Sequence, residues 1–210
     1  MLLKPGEWRP SVTFPAIILL NGSTSAGKST LARALQRRLE PQPVVTSLDA
    51  FVFGQLPPAW RDNPDGIYFS KASDGAVSVN LGPGGRAMVR AFHRSAVVLA
   101  DCGLKVIVDD VLFEPWLLAD WLEATAGWDV YFVGVHCELA EAERREIARG
   151  DRQPGQVRSQ FQQVHAHADY DFIVDTTRTE PRVCAQQILA ALEKPLLPTA
   201  FERLRQRSLG

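Results

Sequence analysis

The feature that most constrains this chain is a glycine-bracketed turn at residues 22–29. The turn reads G-x-x-x-x-G-K-S, and it stands between the apolar stretch at 16–21 and a helical pattern. Glycines permit close backbone approach, and successive amides at a helix N-terminus attract anions. Lys28 would place a positive charge on the outer phosphates, and Ser29 would offer its hydroxyl to Mg²⁺. We therefore expect a nucleoside triphosphate to be bound by Gly22, Ser23, Thr24, Ser25, Ala26, Gly27, Lys28, Ser29 and Thr30.

Four more β-rich runs follow the first, with helical patterns between them. Several of these runs are continuously apolar, which is typical of strands covered by helices on both faces. The alternation predicts an α/β P-loop kinase fold with a five-stranded parallel sheet flanked by helices. The five predicted strands are 16–21, 43–49, 104–110, 128–137 and 171–177.

Composition excludes several classes of function. The 210 residues carry a formal net charge of −1 and are 46% hydrophobic, which indicates one globular domain without a basic face for nucleic acid. The apolar runs are too short to span a bilayer, and the N-terminus lacks the pattern of a signal peptide. We expect a cytoplasmic protein with three reduced cysteines and no membrane partner; a homo-oligomer is compatible with this composition.

Two segments depart from the strand–helix alternation. Residues 53–86 are rich in Gly, Pro, Asp and Asn, and so long an irregular segment indicates a substrate-side insertion. Aromatic residues in and beside it, Phe51, Phe53 and Trp60 among them, would line an apolar acceptor pocket or form a satellite core. Residues 195–210 predict a C-terminal helical tail.

Three aspartates are candidates for the chemistry. Asp49 closes the second predicted strand, where it would face the P-loop and accept a hydroxyl proton; helix N-capping is the alternative. Asp109 and Asp110 end the third predicted strand, a usual place for a carboxylate that holds Mg²⁺. Because side chains alternate along a strand, only one of the two should face the cleft.

A cluster of arginines predicts a lid over residues 141–155. Arg145 and Arg149 lie one helical turn apart, and Arg152 follows Gly150, where we expect the helix to end. Three guanidiniums converging from a hinged segment would neutralise charge on a transferring phosphoryl group. The alternative is a solvated helix face with weak salt bridges to neighbouring glutamates.

Several of these stretches together resemble the chloramphenicol phosphotransferase family of P-loop kinases. The matching pieces are "LLNGSTSAGKS", Asp49, "IVDDV" (107–111), "CELAEAERREIARGDR" (137–152) and "VHAHADYDFIVDTT" (164–177), within roughly residues 16–192. The resemblance implies ATP and Mg²⁺ as cosubstrate and cofactor, and transfer of the γ-phosphate to a primary hydroxyl of chloramphenicol, an antibiotic-resistance activity. It assigns Asp49 as the catalytic base, Lys28 and Ser29 as phosphate and magnesium contacts, and Arg145, Arg149 and Arg152 as lid arginines. His165 falls on a family histidine, for which we expect a structural role.

Other functions remain open on the sequence. A kinase of an anionic metabolite, such as a sugar acid, would need arginines near the acceptor, and Arg61, Arg86, Arg90 and Arg94 are the candidates. A GTP-dependent switch would carry an N/T-K-x-D element after a late strand, and the sequence has none there. A nucleotide-binding module without chemistry would not need the base, metal and lid candidates.

Overall fold

The five predicted strands form one parallel sheet. The computed structural model describes residues 14–150 and 154–208. The sheet order is β2-β5-β1-β6-β7, and every neighbouring pair is parallel. The predicted fold class is thereby confirmed. The strands are β1 (Ile17–Asn21), β2 (Val44–Ser47), β5 (Val106–Asp110), β6 (Val130–His136) and β7 (Phe172–Asp175), and β3 (Ile67–Lys71) and β4 (Val77–Leu81) lie outside this sheet.

Helices connect the strands and cover both faces of the sheet. Several begin with a proline in the first turn, where its missing N–H is tolerated. The helices are α1 (Lys28–Gln36), α2 (Leu48–Gln55), α3 (Pro83–Asp101), α4 (Pro115–Ala124), α5 (Leu139–Arg149), α6 (Gln156–Gln160), α7 (Pro181–Leu192) and α8 (Ala200–Ser208), with a 3-10 turn at Pro58–Trp60. None of the helices described is long and apolar enough to cross a bilayer.

Alternate residues of the strands build two cores. On β1, Ile18 and Leu20 point to the layer that contains α1 and α7, whereas Ile17 and Leu19 point to the layer of α3, α4 and α8. Because β1 is buried on both sides, its sequence is continuously apolar. This central strand delivers the P-loop to the carboxyl edge of the sheet, where ligands of open α/β folds bind.

The segment at 53–86 is more ordered than the sequence predicts. It contains an antiparallel hairpin of β3 and β4, closed by a turn in which Gly75 has a φ of 86°. Val77, Val79 and Leu81 alternate with polar residues, and Asp74-Gly75 is a common hairpin turn. The abundance of turn-forming residues in the segment obscured this short signal.

The second strand is shorter than expected. It ends at Ser47, and α2 begins at Leu48 because the Ser47 hydroxyl accepts a hydrogen bond from the Ala50 amide at 3.3 Å. Asp49 therefore lies in the first turn of α2, neither at the end of the strand nor at the N-cap. A carboxylate in the first turn is favoured by the helix dipole.

Candidate active site

The P-loop joins β1 to α1 and is shaped by close backbone packing. A Cβ atom on Gly22 would lie 2.4 Å from the carbonyl oxygen of Val135, so the backbone of β6 leaves room only for glycine there. Ser25 and Gly27 have φ angles of 58° and 86°, and left-handed residues of this kind turn successive amides into an anion-binding concavity. α1 begins at Lys28 without a side-chain cap on its first amides. The turn has the shape of a phosphate cradle.

Lys28 and Ser29 meet Asp109 at the floor of the cradle. The Ser29 hydroxyl donates to Asp109 Oδ2 at 2.5 Å, and Lys28 Nζ lies 3.6 Å from Asp109 Oδ1. Lys28 Nζ also donates to the Ser23 carbonyl oxygen at 2.9 Å. Burial raises the pKa of the Asp109 carboxyl above its ordinary value, although the Lys28 charge and the Ser29 hydrogen bond oppose the rise.

Of the two aspartates that end β5, only Asp109 faces the cleft. Asp110 points to the opposite side, where Trp121 Nε1 donates to its Oδ2 at 2.7 Å and the Val111 amide donates to its Oδ1 at 2.7 Å. His93 Nε2 lies 3.4 Å from Asp110 Oδ2. Asp109 is therefore the aspartate of this pair that lines the cleft, whereas the carboxylate of Asp110 is fully buried among these partners.

Asp49 lies at the cleft even though it belongs to α2. It lines the same cleft as Lys28 and Asp109, on the side of β2 and α2. β2 pairs with β5 in register, with Ser47 beside Asp109. The pairing brings the start of α2 next to the P-loop edge, so Asp49 lines the cleft from a helix turn instead of from a strand end.

Arginines of α5 form the opposite wall. Arg145 donates from Nη2 to the Thr176 carbonyl oxygen at 2.7 Å and from Nε to Glu141 Oε1 at 2.8 Å. Arg144 and Arg149 also line the cleft. Arg144 is exposed and paired with Glu141 at 2.7 Å, as in the alternative of a solvated helix face. Arg152 lies outside the described residues.

The charges that line this cleft favour a polyanion. The cleft has a volume of about 500 Å³. Its cations outnumber its carboxylates among the described lining residues, and six of the nine predicted phosphate-binding residues line it. Gly22, Ser23 and Ala26 are buried and are not among the lining residues. The lining cations are Lys28, Arg144, Arg145 and Arg149, the carboxylates are Asp49 and Asp109, and the six P-loop residues are Thr24, Ser25, Gly27, Lys28, Ser29 and Thr30.

A second, apolar pocket adjoins the phosphate cleft. The hairpin, α2 and α3 supply most of its walls, and Asp49 is the one charged residue among the described residues that line it. Thr24, Leu48, Asp49 and Val111 line both cavities, so the two meet at these four residues, of which Asp49 is the charged one. The apolar lining residues are Val52, Phe53, Ile67, Val79, Leu81, Val89 and Phe113, and the remaining polar ones are Gln156 and Gln160.

The three predicted acceptor aromatics are placed differently from one another. Phe53 lines the apolar pocket and is 40% exposed. Phe51 instead packs on Phe92, with ring centroids 5.6 Å apart. Trp60 packs against Gly84, where a Cβ would lie 2.9 Å from the indole ring. Phe51 and Trp60 both pack against the core layer of α3, α4 and α8.

His165 lies in a partly buried chain of polar side chains behind the P-loop. Its Nδ1 is 2.6 Å from Tyr170 Oη, and its ring stacks on His136 with centroids 4.0 Å apart. Asn21 Nδ2 donates to the same Tyr170 Oη at 2.7 Å. Burial, followed by the nearby His136 and Lys28, lowers the pKa of His165 to about 4. His165 is thus a hydrogen-bonded structural histidine.

Sequence reasoning missed two residues of the site, Gln156 and Gln160. Both are buried and line the apolar pocket from α6. Their i, i+4 spacing on a helix was a usable signal of a shared face. No local pattern indicates that this face lies opposite a distant hairpin, because that placement depends on tertiary packing.

Comparison with known proteins identifies the relatives of the chain. Residues 15–193 match the family described as "Chloramphenicol phosphotransferase-like protein". The chain is also similar to the protein named "Putative O-phosphotransferase" in Mycobacterium tuberculosis strain H37Rv. The two are 37% identical over 202 residues, covering 92% of this chain and 89% of that protein.

Three kinases are among the solved structures that share this fold. The APS kinase CysC of Mycobacterium tuberculosis, in complex with AMPPNP and APS, aligns with a TM-score of 0.60 and 21% identity over 88% of this chain and 100% of that one. A sugar kinase from Janibacter sp. aligns with a TM-score of 0.61 and 17% identity over 84% and 94%. Shikimate kinase from Acinetobacter baumannii, in complex with shikimate, aligns with a TM-score of 0.52 and 14% identity over 86% and 93%. At these identities the likeness shows the fold.

Proposed function

The chain belongs to the chloramphenicol phosphotransferase-like family, and from this premise we propose that it is an ATP-dependent O-phosphotransferase. The acceptor is a hydroxyl of a small, uncharged, amphipathic molecule, with chloramphenicol as the first candidate. The observation that carries this proposal is the meeting of the phosphate cleft and the apolar pocket at Asp49. A phosphate held in one cavity and an alcohol held in the other come together at a carboxylate able to take the proton.

The reaction follows from these positions. The P-loop amides and Lys28 hold the β- and γ-phosphates of ATP, and Asp49 accepts the proton of the acceptor hydroxyl as its oxygen attacks the γ-phosphorus. The bond from the γ-phosphorus to the β,γ-bridging oxygen breaks, which leaves ADP. Arg145 and Arg149 neutralise the charge that develops on the transferring group. The products are ADP and a phosphate monoester of the acceptor, which for an antibiotic is an inactivated form.

Mg²⁺ fits the donors at the floor of the cleft. Magnesium commonly takes one or two protein oxygens and completes its shell with phosphates and water. The Ser29 hydroxyl and the Asp109 carboxylate, 2.5 Å apart, are such a pair. Among the described residues no group of three or more His, Cys, Asp or Glu side chains could hold a metal without the nucleotide. When bound, Mg²⁺ would neutralise phosphate charge.

An anionic acceptor is disfavoured because the nearby arginines are engaged elsewhere. Arg61 donates to the Phe53 carbonyl oxygen at 3.0 Å, and Arg86 pairs with Glu114 at 3.0 Å. Arg90 and Arg94 both pair with one carboxylate on α4, that of Asp120, at 3.4 and 3.1 Å. None of these four arginines lines the apolar pocket. A carboxylate in that pocket would face Asp49 with no compensating cation from the described residues.

The apolar pocket must widen to accept a molecule as large as chloramphenicol. It measures about 50 Å³, enough for only a few atoms. One wall is the hairpin, whose two strands form a sheet of their own and are not part of the five-stranded sheet. Another wall is the ring of Phe53, which is 40% exposed. We expect acceptor binding to displace one or both of these walls.

Mass spectrometry of a reaction panel tests the proposed function. The protein is incubated with Mg-ATP, or Mg-GTP as a comparison, and with chloramphenicol, panthenol, pantothenate, gluconate or shikimate. We expect a product heavier by one phosphate with an uncharged acceptor, and no product with Lys28→Ala. Transfer to the anionic acceptors alone would instead favour a metabolite kinase, and no transfer to any acceptor would contradict the proposal.

Substitution of Asp49 tests the assignment of the base. We expect Asp49→Asn to lower kcat for phosphate transfer about 10²–10⁴-fold, because the amide cannot accept the hydroxyl proton. Binding of ATP, measured by calorimetry, should change little. An unchanged kcat would remove Asp49 from the mechanism.

A further inference from the structure

The short helix α6 lies between the P-loop and the hairpin. Ser159 Oγ donates to the Val77 carbonyl oxygen at 2.6 Å, and the Val77 amide donates to the Gly155 carbonyl oxygen at 2.9 Å. On the P-loop side, the Thr24 amide donates to Gln160 Oε1 at 3.0 Å. Gln160 therefore fixes α6 to the phosphate cradle, and the other two bonds fix it to a wall of the acceptor pocket.

Gln156 shares the face of α6 with Gln160 but has no such partner. Its side chain lines the apolar pocket, and the residue is only 6% exposed. Over residues 14–150 and 154–208, no group forms a hydrogen bond with the Gln156 side-chain amide. The polar end of this side chain is therefore free to bind a molecule held in the apolar pocket.

The chemistry of an amide defines what it can recognise. It donates and accepts hydrogen bonds and carries no charge, so it pairs with another neutral polar group such as an amide, a carbonyl or a second hydroxyl. The rest of the pocket wall is apolar except for Thr24, Asp49 and Gln160. A site built to hydrogen-bond a substrate group rejects analogues that lack it.

We propose that Gln156 selects the acceptor by hydrogen bonding to a neutral polar group remote from the hydroxyl that is phosphorylated. Gln160 is the positioning residue that holds this face of α6 beside the P-loop. The inference rests on the proposed function and narrows it: the acceptor is uncharged and carries at least two polar groups, separated by an apolar portion that contacts the hairpin.

Steady-state kinetics with an uncharged acceptor and its anionic analogue test the role of Gln156. Pantothenate carries a carboxylate where panthenol carries a neutral hydroxymethyl group, and chloramphenicol is a second uncharged probe. For the uncharged acceptor that the wild type uses with the higher kcat/KM, we expect Gln156→Leu to raise the KM about tenfold and to change kcat less than about twofold. Gln156→Arg should shift the ratio of kcat/KM for pantothenate over panthenol upward by at least about tenfold.

The control is Gln162→Leu, an exposed glutamine beyond the end of α6 that should behave as the wild type. If Gln156→Leu fails to fold by circular dichroism, Gln156→Asn, which withdraws the same amide by one methylene, takes its place. An unchanged KM in a folded variant overturns the inference alone. A wild type that prefers pantothenate overturns the inference and also the uncharged acceptor of the proposed function, but leaves phosphate transfer itself intact. No product with any probe overturns the proposed function, and the inference with it.

Discussion

A chain of polar side chains behind the P-loop holds His165 in place. Tyr170 Oη accepts a hydrogen bond from Asn21 Nδ2 and lies 2.6 Å from His165 Nδ1. Asn21 Oδ1 also accepts from the Leu112 amide at 2.9 Å. Because Asn21 immediately precedes Gly22, this chain determines where the P-loop begins.

The stability of the protein should depend on the ionisation of His165. Its folded pKa of about 4 lies below the ordinary value of 6.5, so the unfolded state binds the proton more readily between these values. Its contribution to the free energy of unfolding is therefore full above pH 6.5 and is lost as pH falls towards 4. Urea unfolding across this range should show a steeper loss for the wild type than for His165→Phe.

Substitution of the tyrosine provides the control for this pH dependence. Tyr170→Phe should lower stability at all pH values, yet it keeps a buried imidazole and hence the steeper loss. Parallel pH profiles for the wild type and His165→Phe would contradict the account of His165.

At the scale of elements, a buried carboxylate joins α5 to α6. Glu146 is 2% exposed, and its two oxygens accept hydrogen bonds from the Gly155 and Val157 amides at 2.8 and 3.1 Å. Since α6 in turn contacts the hairpin, the arginine-bearing helix and the acceptor wall are linked through Glu146. We infer that these elements move together.

Removal of the Glu146 carboxylate should weaken this linkage. Glu146→Ala leaves two buried amides without partners, and we expect the free energy of unfolding to fall by about 2–5 kcal/mol. The matched control is Glu143→Ala, which breaks a surface pair with Arg158 and should cost less than about 1 kcal/mol. Chemical denaturation compares the two. Similar losses for both variants would rule out a special role for Glu146.

Local sequence patterns predict some elements of this protein but not the positions of others. The glycine spacing and the apolar run before it suffice to predict the P-loop and β1, because both depend on neighbouring residues. The position of Asp49 on α2 depended on one serine cap, and the partner of Gln160 lies 136 residues away. Contacts of that separation are set by the packing of the whole sheet, so local spacing could not place Gln156 and Gln160 at the acceptor pocket.

At the scale of the whole molecule, α8 completes one face of the sheet. Phe201 is buried against Phe132, with ring centroids 5.3 Å apart. The Ala200 amide donates to Asp171 Oδ1 at 2.6 Å, and Arg203 Nη2 donates to Asp169 Oδ1 at 2.8 Å. The family match ends at residue 193, so this helix extends the core beyond the matched segment.

The packing of α8 should be measurable in thermal stability. We expect Phe201→Ala to lower the free energy of unfolding by about 3–5 kcal/mol, because it opens a cavity in the core. The corresponding fall in Tm is roughly 6–20 °C for a chain of this size. Leu197→Ala, at a side chain that is 79% exposed, is the control and should change Tm little. Equal effects of the two variants would indicate that α8 is not part of the folded core.

The central claim is that the P-loop holds a triphosphate whose terminal group faces Asp49, at the boundary with the acceptor pocket. A crystal structure with Mg²⁺ and AMPPNP measures this most directly. We predict the β- and γ-phosphates on the amides around Lys28, Mg²⁺ beside Ser29 and Asp109, and the γ-phosphate facing the Asp49 carboxylate. A nucleotide bound elsewhere, or an Asp49 side chain directed away from the γ-phosphate, would contradict the account.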